Sequence, residues 1–213
     1  MRKNARVIQE IVDMARSLYE RGYSFGTAGN ISVRVDNRIY ITPTNSSFGS
    51  LTVDAMSELN LNGKPLAGNK PSKETHFHLS AYRARNDAAA VVHLHSTYAT
   101  AVACLSGLNM DDALPIFTPY FAMRIPRLPV VSYYPPGDPM LAPEVERCAA
   151  LSPAMLLRNH GPITMGKTLM EAAALSEELE EQSKLYFLLN GRGQELTTDQ
   201  VAELRRRFRQ VPP

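Results

Sequence analysis

Apolar residues recur at intervals of three and four from Val7 to Tyr19, through Ile8, Ile11, Val12, Ala15 and Leu18. That is the stripe of a helix with one face against a core. Gly22 stands where a left-handed residue closes such a helix, so residues 5–21 are predicted as the first element. The period then changes to two. Ile31–Val35 and Arg38–Thr42 alternate around Asp36-Asn37, the pattern of a hairpin. Leu51 to Leu66 predicts a short helix and a strand with a turn at Asn62-Gly63. A helix is expected from Lys70 to about Arg85, with Pro71 and Ser72 as start signals and Glu74 in its first turn. The apolar run Ala89–Val92 and the segment Met155–Asn159 read as interior strands. Helices are predicted over Thr97–Leu105, over Leu169–Leu189 with Gly191 as its stop, and from about Thr198. Residues 106–143 are proline-rich and expected to be mainly loop, a kind of segment that often carries function. This alternation implies a three-layer α/β/α sandwich with a central mixed, mainly antiparallel sheet, in one domain over residues 1–213.

A chain of 213 residues with 44% hydrophobic content can bury the core that such a fold needs. Its 23 basic and 21 acidic side chains nearly cancel and are spread through the sequence, leaving no field of the strength that nucleic-acid binding requires. Arg205-Arg206-Arg207 is read as a solvated helix face. No apolar stretch has the length of a bilayer span or a signal peptide, so a cytoplasmic protein with no membrane partner is expected. Cys104 and Cys148 lack paired spacing and are expected as buried thiols in a reducing compartment.

Candidate chemistry begins where the run Ala89–Val92 passes into His93-Leu94-His95. Alternate side chains of a strand share a face, so both imidazoles can turn toward one point. His160 leaves the second interior strand just before Gly161-Pro162, and Glu74 opens a helix. Three imidazoles and a carboxylate are the donors of a zinc site, and manganese or cobalt suit the same set. Glu74 is the candidate for a ligand that swings away to open a position for substrate. His76 and His78 stand about 200° apart around a helix and cannot share an ion with each other. His78, one turn beyond Glu74, reads as a packing or surface contact. Three polar segments remain. The small-residue loop Gly26–Asn30 lets backbone amides approach an anion, Thr42–Ser47 offers hydroxyls and amides to a ligand or to water, and Ser72 lies where a helix start attracts negative charge.

Gly26-Thr27-Ala28-Gly29-Asn30-Ile31-Ser32, Thr42-Pro43-Thr44, Pro71-Ser72-Lys73-Glu74, His93-Leu94-His95 and Asn159-His160-Gly161 follow the order and approximate spacing of the class II aldolase and adducin head-domain family. The chain resembles that family over roughly residues 5–190. Lys70–Glu74, His93–Thr97, Phe117–Tyr120, Met123-Arg124, Tyr133–Asp138 and Glu177–Glu181 look most like its branch that decarboxylates 3-oxo-tetronate 4-phosphates. The resemblance implies zinc held by Glu74, His93, His95 and His160, with Glu74 doubling as acid and base. It implies phosphate contacts from Gly29, Asn30, Thr44 and Ser72, and a proton-donating Tyr120 that arrives from a neighbouring subunit of a homotetramer. The family's sugar-phosphate aldolases usually carry Ser at the position of Lys73 and Gly at that of Asn45, both beside the expected phosphate pocket. A cation on a departing carboxylate would oppose its loss, so Lys73 or Arg124 is expected to bind phosphate instead. The implied activity is zinc-dependent loss of carbon dioxide from a phosphorylated sugar acid, giving dihydroxyacetone phosphate. The alternatives are a sugar-phosphate aldolase or epimerase, and a non-catalytic module like the adducin head.

Overall fold

The computed structural model describes residues 2–208, so residue 1 and residues 209–213 of the expected domain lie outside the described residues. The helical stripe forms as predicted in α1 (Arg2–Glu20), which buries Ile11, Val12, Ala15 and Leu18. β1 (Asn30–Val35) and β2 (Arg38–Ile41) make the hairpin, with Asp36 in the left-handed region at φ 50°. The segment that follows departs from expectation. In place of a short helix there are two 3-10 turns, Phe48–Ser50 and Val53–Ala55. They seat Phe48, Leu51 and Met56 in the core, too few apolar positions to sustain a helical stripe. In place of one strand there are two, β3 (Ser57–Asn60) and β4 (Pro65–Ala67), paired antiparallel around Gly63.

α2 (Thr75–Ala84) starts later than predicted, with Glu74 as its N-cap residue. The residues read as start signals are held extended: Pro71 forms a β-bridge with Pro43, Thr44 N–H donates to the Lys70 carbonyl, and Ser72 N–H donates to that of Thr42. β5 (Ala90–His93) and α3 (Thr97–Cys104) follow as expected. The proline-rich region is largely loop but contains α4 (Pro119–Arg124), with Pro119 in its first turn and Thr118 capping Phe121 N–H. It also contains β6 (Val130–Val131) and leads into α5 (Leu141–Leu151). The second interior strand, β7 (Ala154–Leu157), ends two residues earlier than expected, with Arg158 and left-handed Asn159 in a turn, and it is one arm of a hairpin whose other arm, β8 (Gly161–Gly166), carries no strand pattern in the sequence because Gly and Pro interrupt it. His160 therefore lies in the connecting turn. α6 (Leu169–Leu189) and α7 (Thr198–Arg207) complete the described chain, and left-handed Asn190 caps α6.

The strands form one sheet in the order β4-β3-β2-β1-β5-β8-β7-β6, antiparallel throughout except for β6 beside β7. Alternation along the strands divides the core. Ile39, Ile41, Val91, Met155, Leu157 and Ile163 face α2 and α5. Ile31, Val33, Ala90 and Val92 face α1, while Ala154 and Leu156 face α3, α4 and α6. Helices thus cover both faces, giving the three-layer α/β/α sandwich.

Two smaller expectations change. Cys104 is exposed, because the last residue of the short α3 points out of the core, whereas Cys148 is buried. The Arg205–Arg207 run is not uniformly solvated: Arg205 donates to the carbonyls of Ala122 and Pro126, tying α7 to α4. Arg206 and Arg207 pair with Glu203 at the surface.

Candidate metal centre

Parity along β5 decides where the imidazoles point. Val91 faces α2, so His93 and then His95 continue on that side, while Leu94 enters the opposite core. The β7–β8 turn brings in His160 from the neighbouring hairpin. The three rings meet edge to face, with centroids 4.7 to 5.0 Å apart. One ligand nitrogen from each lies within 4.8 Å of the others. The N-cap position of α2 supplies Glu74, whose Oε2 is 3.5 Å from His93 Nε2 and whose Oε1 is 3.5 Å from His160 Nε2. Two backbone approaches admit only glycine here. A Cβ on Gly29 would stand 2.8 Å from the His93 carbonyl oxygen, and one on Gly161 would stand 2.3 Å from that of Leu94.

Protonation suits a cation. His93 Nδ1 donates to the Pro162 carbonyl at 2.9 Å, which leaves its Nε2 as a lone pair directed at His95 Nε2, 3.1 Å away. Burial, reinforced by His160 and His95, drives His93 well below the ordinary imidazole range. Burial and the same neighbour lower His95 to about 4. His160 is lowered by burial, with the Glu74 carboxylate opposing. All three rings are neutral at pH 7, the form that ligates. Glu74 is only 8% exposed, and its Oε1 is buried without any hydrogen-bond partner. A buried carboxylate oxygen without a hydrogen-bond partner, beside imidazole nitrogens 3.1 Å apart, is unfavourable unless a cation lies among them. Nitrogens sharing a tetrahedral zinc ion sit about 3.3 Å apart, so the residues present fit a divalent metal.

Around this cluster three segments converge. Thr42 Oγ1 accepts from Ile31 N–H, joining the Gly29–Asn30 turn to the 42–45 loop. The Pro43–Pro71 bridge joins that loop to Ser72 and Glu74. Thr44 is half-buried, and Asn45 is exposed with φ 57°. Ser72 is buried with its hydroxyl accepting from Glu74 N–H, and Lys73 is exposed beside it. Asn30 is buried, and both ends of its side chain are engaged within the protein: Nδ2 donates to Glu74 Oε2 at 2.8 Å and Oδ1 meets His78 Nε2 at 2.5 Å. His78, read from the sequence as a packing or surface contact, is completely buried and bonded through both nitrogens. Its signal was the four-residue step from Glu74, but its partner Asn30 is remote in sequence.

Tyr120 and Arg124 are not brought to the imidazoles of their own chain. They line a groove of about 1000 Å³ with Ala88, Gly166 and Met170. Ala90 pairs with Gly166 while His93 pairs with Ile163, so that groove lies at the other end of the β5–β8 ladder. Tyr120 is 60% exposed there, with the Arg124 guanidinium 6.0 Å from its ring centroid.

Known proteins resemble this chain in sequence and fold. Residues 9–187 match the Class II Aldolase and Adducin N-terminal domain. The 3-oxo-tetronate 4-phosphate decarboxylase of Haemophilus influenzae is 47% identical over 199 residues, covering 92% of this chain and 95% of that protein. An L-fuculose phosphate aldolase of Methanococcus maripaludis is 38% identical over 86% of this chain and 97% of its own. The crystal structure of YgbL from Escherichia coli superposes with a TM-score of 0.93 at 43% identity, covering 95% of this chain and 99% of that one. With a match across most of its length and the same fold, the chain belongs to the class II aldolase and adducin N-terminal domain family.

Proposed function

We propose that this chain decarboxylates a 3-oxo-tetronate 4-phosphate, releasing carbon dioxide and dihydroxyacetone phosphate, at a site formed by Glu74, His93, His95 and His160. The observation that carries this reading is the buried, unpartnered Oε1 of Glu74 beside three neutral imidazoles. Likeness to the decarboxylases supports the choice of substrate. Zinc is the metal the donor set favours, with manganese and cobalt compatible.

The carboxylate of such a substrate is β to a ketone. Breaking the C1–C2 bond sends its electron pair toward C2 and the C3 oxygen. Glu74, His93, His95 and His160 would hold a divalent ion, which would supply Lewis-acid stabilisation of that charge. Bond breaking needs no base, but C2 must then take a proton. Glu74 Oε1, buried and with no internal hydrogen bond to give up, is one carrier. Tyr120 is the other, and because it lies at the far end of its own sheet it serves the site of a second subunit. That assignment requires an oligomer with interfacial sites, and a homotetramer is the assembly that the family resemblance implies.

Gly29, Asn30, Thr44, Asn45 and Ser72 lie on the three segments converging near Glu74, and the phosphate is assigned to that side, with Lys73, or Arg124 contributed like Tyr120 by a second subunit, as its cation. A cation clamped on the departing carboxylate would stabilise the ground state instead. The exposed Cys104 suits a reducing cytoplasm.

The test is to supply 3-oxo-tetronate 4-phosphate and follow carbon dioxide and dihydroxyacetone phosphate, with L-fuculose 1-phosphate in parallel. Release of both products from the first compound is expected. Cleavage of the second alone would replace the decarboxylase with the aldolase reading that the Methanococcus maripaludis relative supports. Turnover of neither, with no bound metal, would favour a binding module.

A further inference from the structure

Glu74 is the last member of a buried ladder that no chemistry described above uses. Glu74, His78 and Tyr82 fall at i, i+4 and i+8 on one face of α2 and its cap. Asn30 and Ser32 fall at i and i+2 on one face of β1. Four helical residues rise about 6 Å and two strand residues about 6.6 Å, so the two series interdigitate. Tyr82 Oη lies 2.8 Å from Ser32 Oγ, and Ser32 Oγ 2.8 Å from His78 Nδ1. His78 Nε2 lies 2.5 Å from Asn30 Oδ1, and Asn30 Nδ2 2.8 Å from Glu74 Oε2. None of the five side chains is more than 8% exposed.

The carboxylate sets the direction of every bond. An ionised Glu74 only accepts, so Asn30 turns its amide N–H₂ toward it and its oxygen toward His78. His78 must then donate from Nε2. Burial holds the ring neutral, with its pKa lowered to about 3, so Nδ1 is a lone pair that accepts from Ser32. Ser32, having donated, accepts from Tyr82. The hydrogens therefore all run from Tyr82 toward Glu74, and a change anywhere in the ladder reaches Oε2. Oε1 lies outside it, turned toward His160.

We propose that His78 is a positioning residue: acting through Asn30, with Ser32 fixing its tautomer and Tyr82 behind, it clamps Glu74 Oε2 and so fixes the rotation of the carboxylate that turns Oε1 toward His160 and the reacting carbon. This rests on Glu74 being the carboxylate of the proposed site. An apolar face on α2 would pack the same space without requiring five matched partners, so the polar ladder specifies an orientation that packing alone would not.

The test compares His78→Phe, which fills the space but can neither donate nor accept, with His78→Gln, which retains an amide donor for Asn30. Two quantities are read on the cobalt-substituted protein: the visible d–d spectrum, which reports the coordination sphere without turnover, and kcat and KM for 3-oxo-tetronate 4-phosphate. For His78→Phe we expect an altered spectrum and a kcat lower by about 10–100-fold with a smaller change in KM, the usual reach of a group behind a metal ligand. His78→Gln should restore both to within about threefold. Should His78→Phe not fold, Ser32→Ala, a smaller change that releases the tautomer, should show the same pattern at about 3–10-fold. The proposal is overturned if His78→Phe keeps the wild-type spectrum and kcat, or if His78→Gln is as impaired as His78→Phe. It is overturned equally if a folded Ser32→Ala is unchanged in both readouts. If the wild-type chain binds cobalt but turns over no tetronate, the substrate reading fails while the spectra of the variants still decide the ladder.

Discussion

Asn30 and Glu74, 44 residues apart in sequence, are joined by a buried hydrogen bond of 2.8 Å that spans from the start of β1 to the cap of α2. Because Asn30 Oδ1 also meets His78, both ends of the side chain are held by the protein, and its orientation is set by Glu74 and His78. Asn30→Asp is nearly isosteric but sets a second carboxylate against Glu74. It should lower kcat by about 10–100-fold, with KM for the phosphorylated substrate changed much less. Steady-state kinetics separates this from direct phosphate contact by the side chain, which would raise KM and spare kcat.

Metal binding and proton handling should separate between neighbouring residues. His95→Ala removes one of three converging nitrogens and should abolish stoichiometric zinc together with activity. Glu74→Gln leaves the imidazoles intact but cannot carry a proton on Oε1. It should still bind zinc, though more weakly, while turnover falls by at least about 100-fold. Metal analysis after dialysis without chelator, beside a product assay, checks both. A Glu74→Gln protein with full zinc and near-normal turnover would remove Glu74 from the chemistry and leave Tyr120 as the proton carrier.

The imidazoles were legible because their logic is local. His93 and His95 share a face through the period of a strand, and His160 follows an apolar run that could only be interior. Glu74 was legible less sharply, as the carboxylate at a predicted helix start that completes the donor set, and the resemblance to a family added its role as acid and base. What the sequence hid lies in contacts between distant segments. The bridge of Pro43 with Pro71 overrode the start signals at Pro71 and Ser72 and moved the beginning of α2, which is why Glu74 caps the helix. The spacing of His78 suggested Glu74 as its neighbour, but the connection runs through Asn30, 48 residues earlier. β8 escaped notice because Gly161, Pro162 and Gly166 interrupt its alternation; at Gly161 the cause is a neighbouring backbone, Leu94, too near for any Cβ.

Acid should unfold the metal-free protein in a defined window. The pKa of His78 is lowered from 6.5 to about 3 by burial, so between these values the unfolded chain binds a proton that the folded one does not. Stability from this group is complete above about pH 6.5, declines as pH falls, and stops declining below about pH 3, with a slope of about 1.4 kcal/mol per pH unit. His93, His95 and His160 are lowered too and act in the same direction. Denaturant melts of the chelated wild type and of His78→Gln, taken from pH 7 to 4, should therefore diverge, with the variant losing less. Parallel curves would mean that His78 is not kept neutral by the fold.

The placement of Tyr120 makes an oligomeric prediction. Since the tyrosine lies at the end of the β5–β8 ladder remote from its own imidazoles, a site that uses it draws on two chains. Glu74→Gln and Tyr120→Phe should each be nearly inactive as pure proteins. Co-expressed with different tags and purified through both, they form mixed assemblies in which some sites pair an intact Glu74 from one chain with an intact Tyr120 from another. Random mixing gives about a quarter of the sites both groups, hence about a quarter of wild-type activity. If every site were built within one chain, each would lack one group and mixing would restore nothing. Sedimentation of the same preparations reads the subunit number, and a monomer that is nonetheless active would exclude Tyr120 as a group supplied in trans.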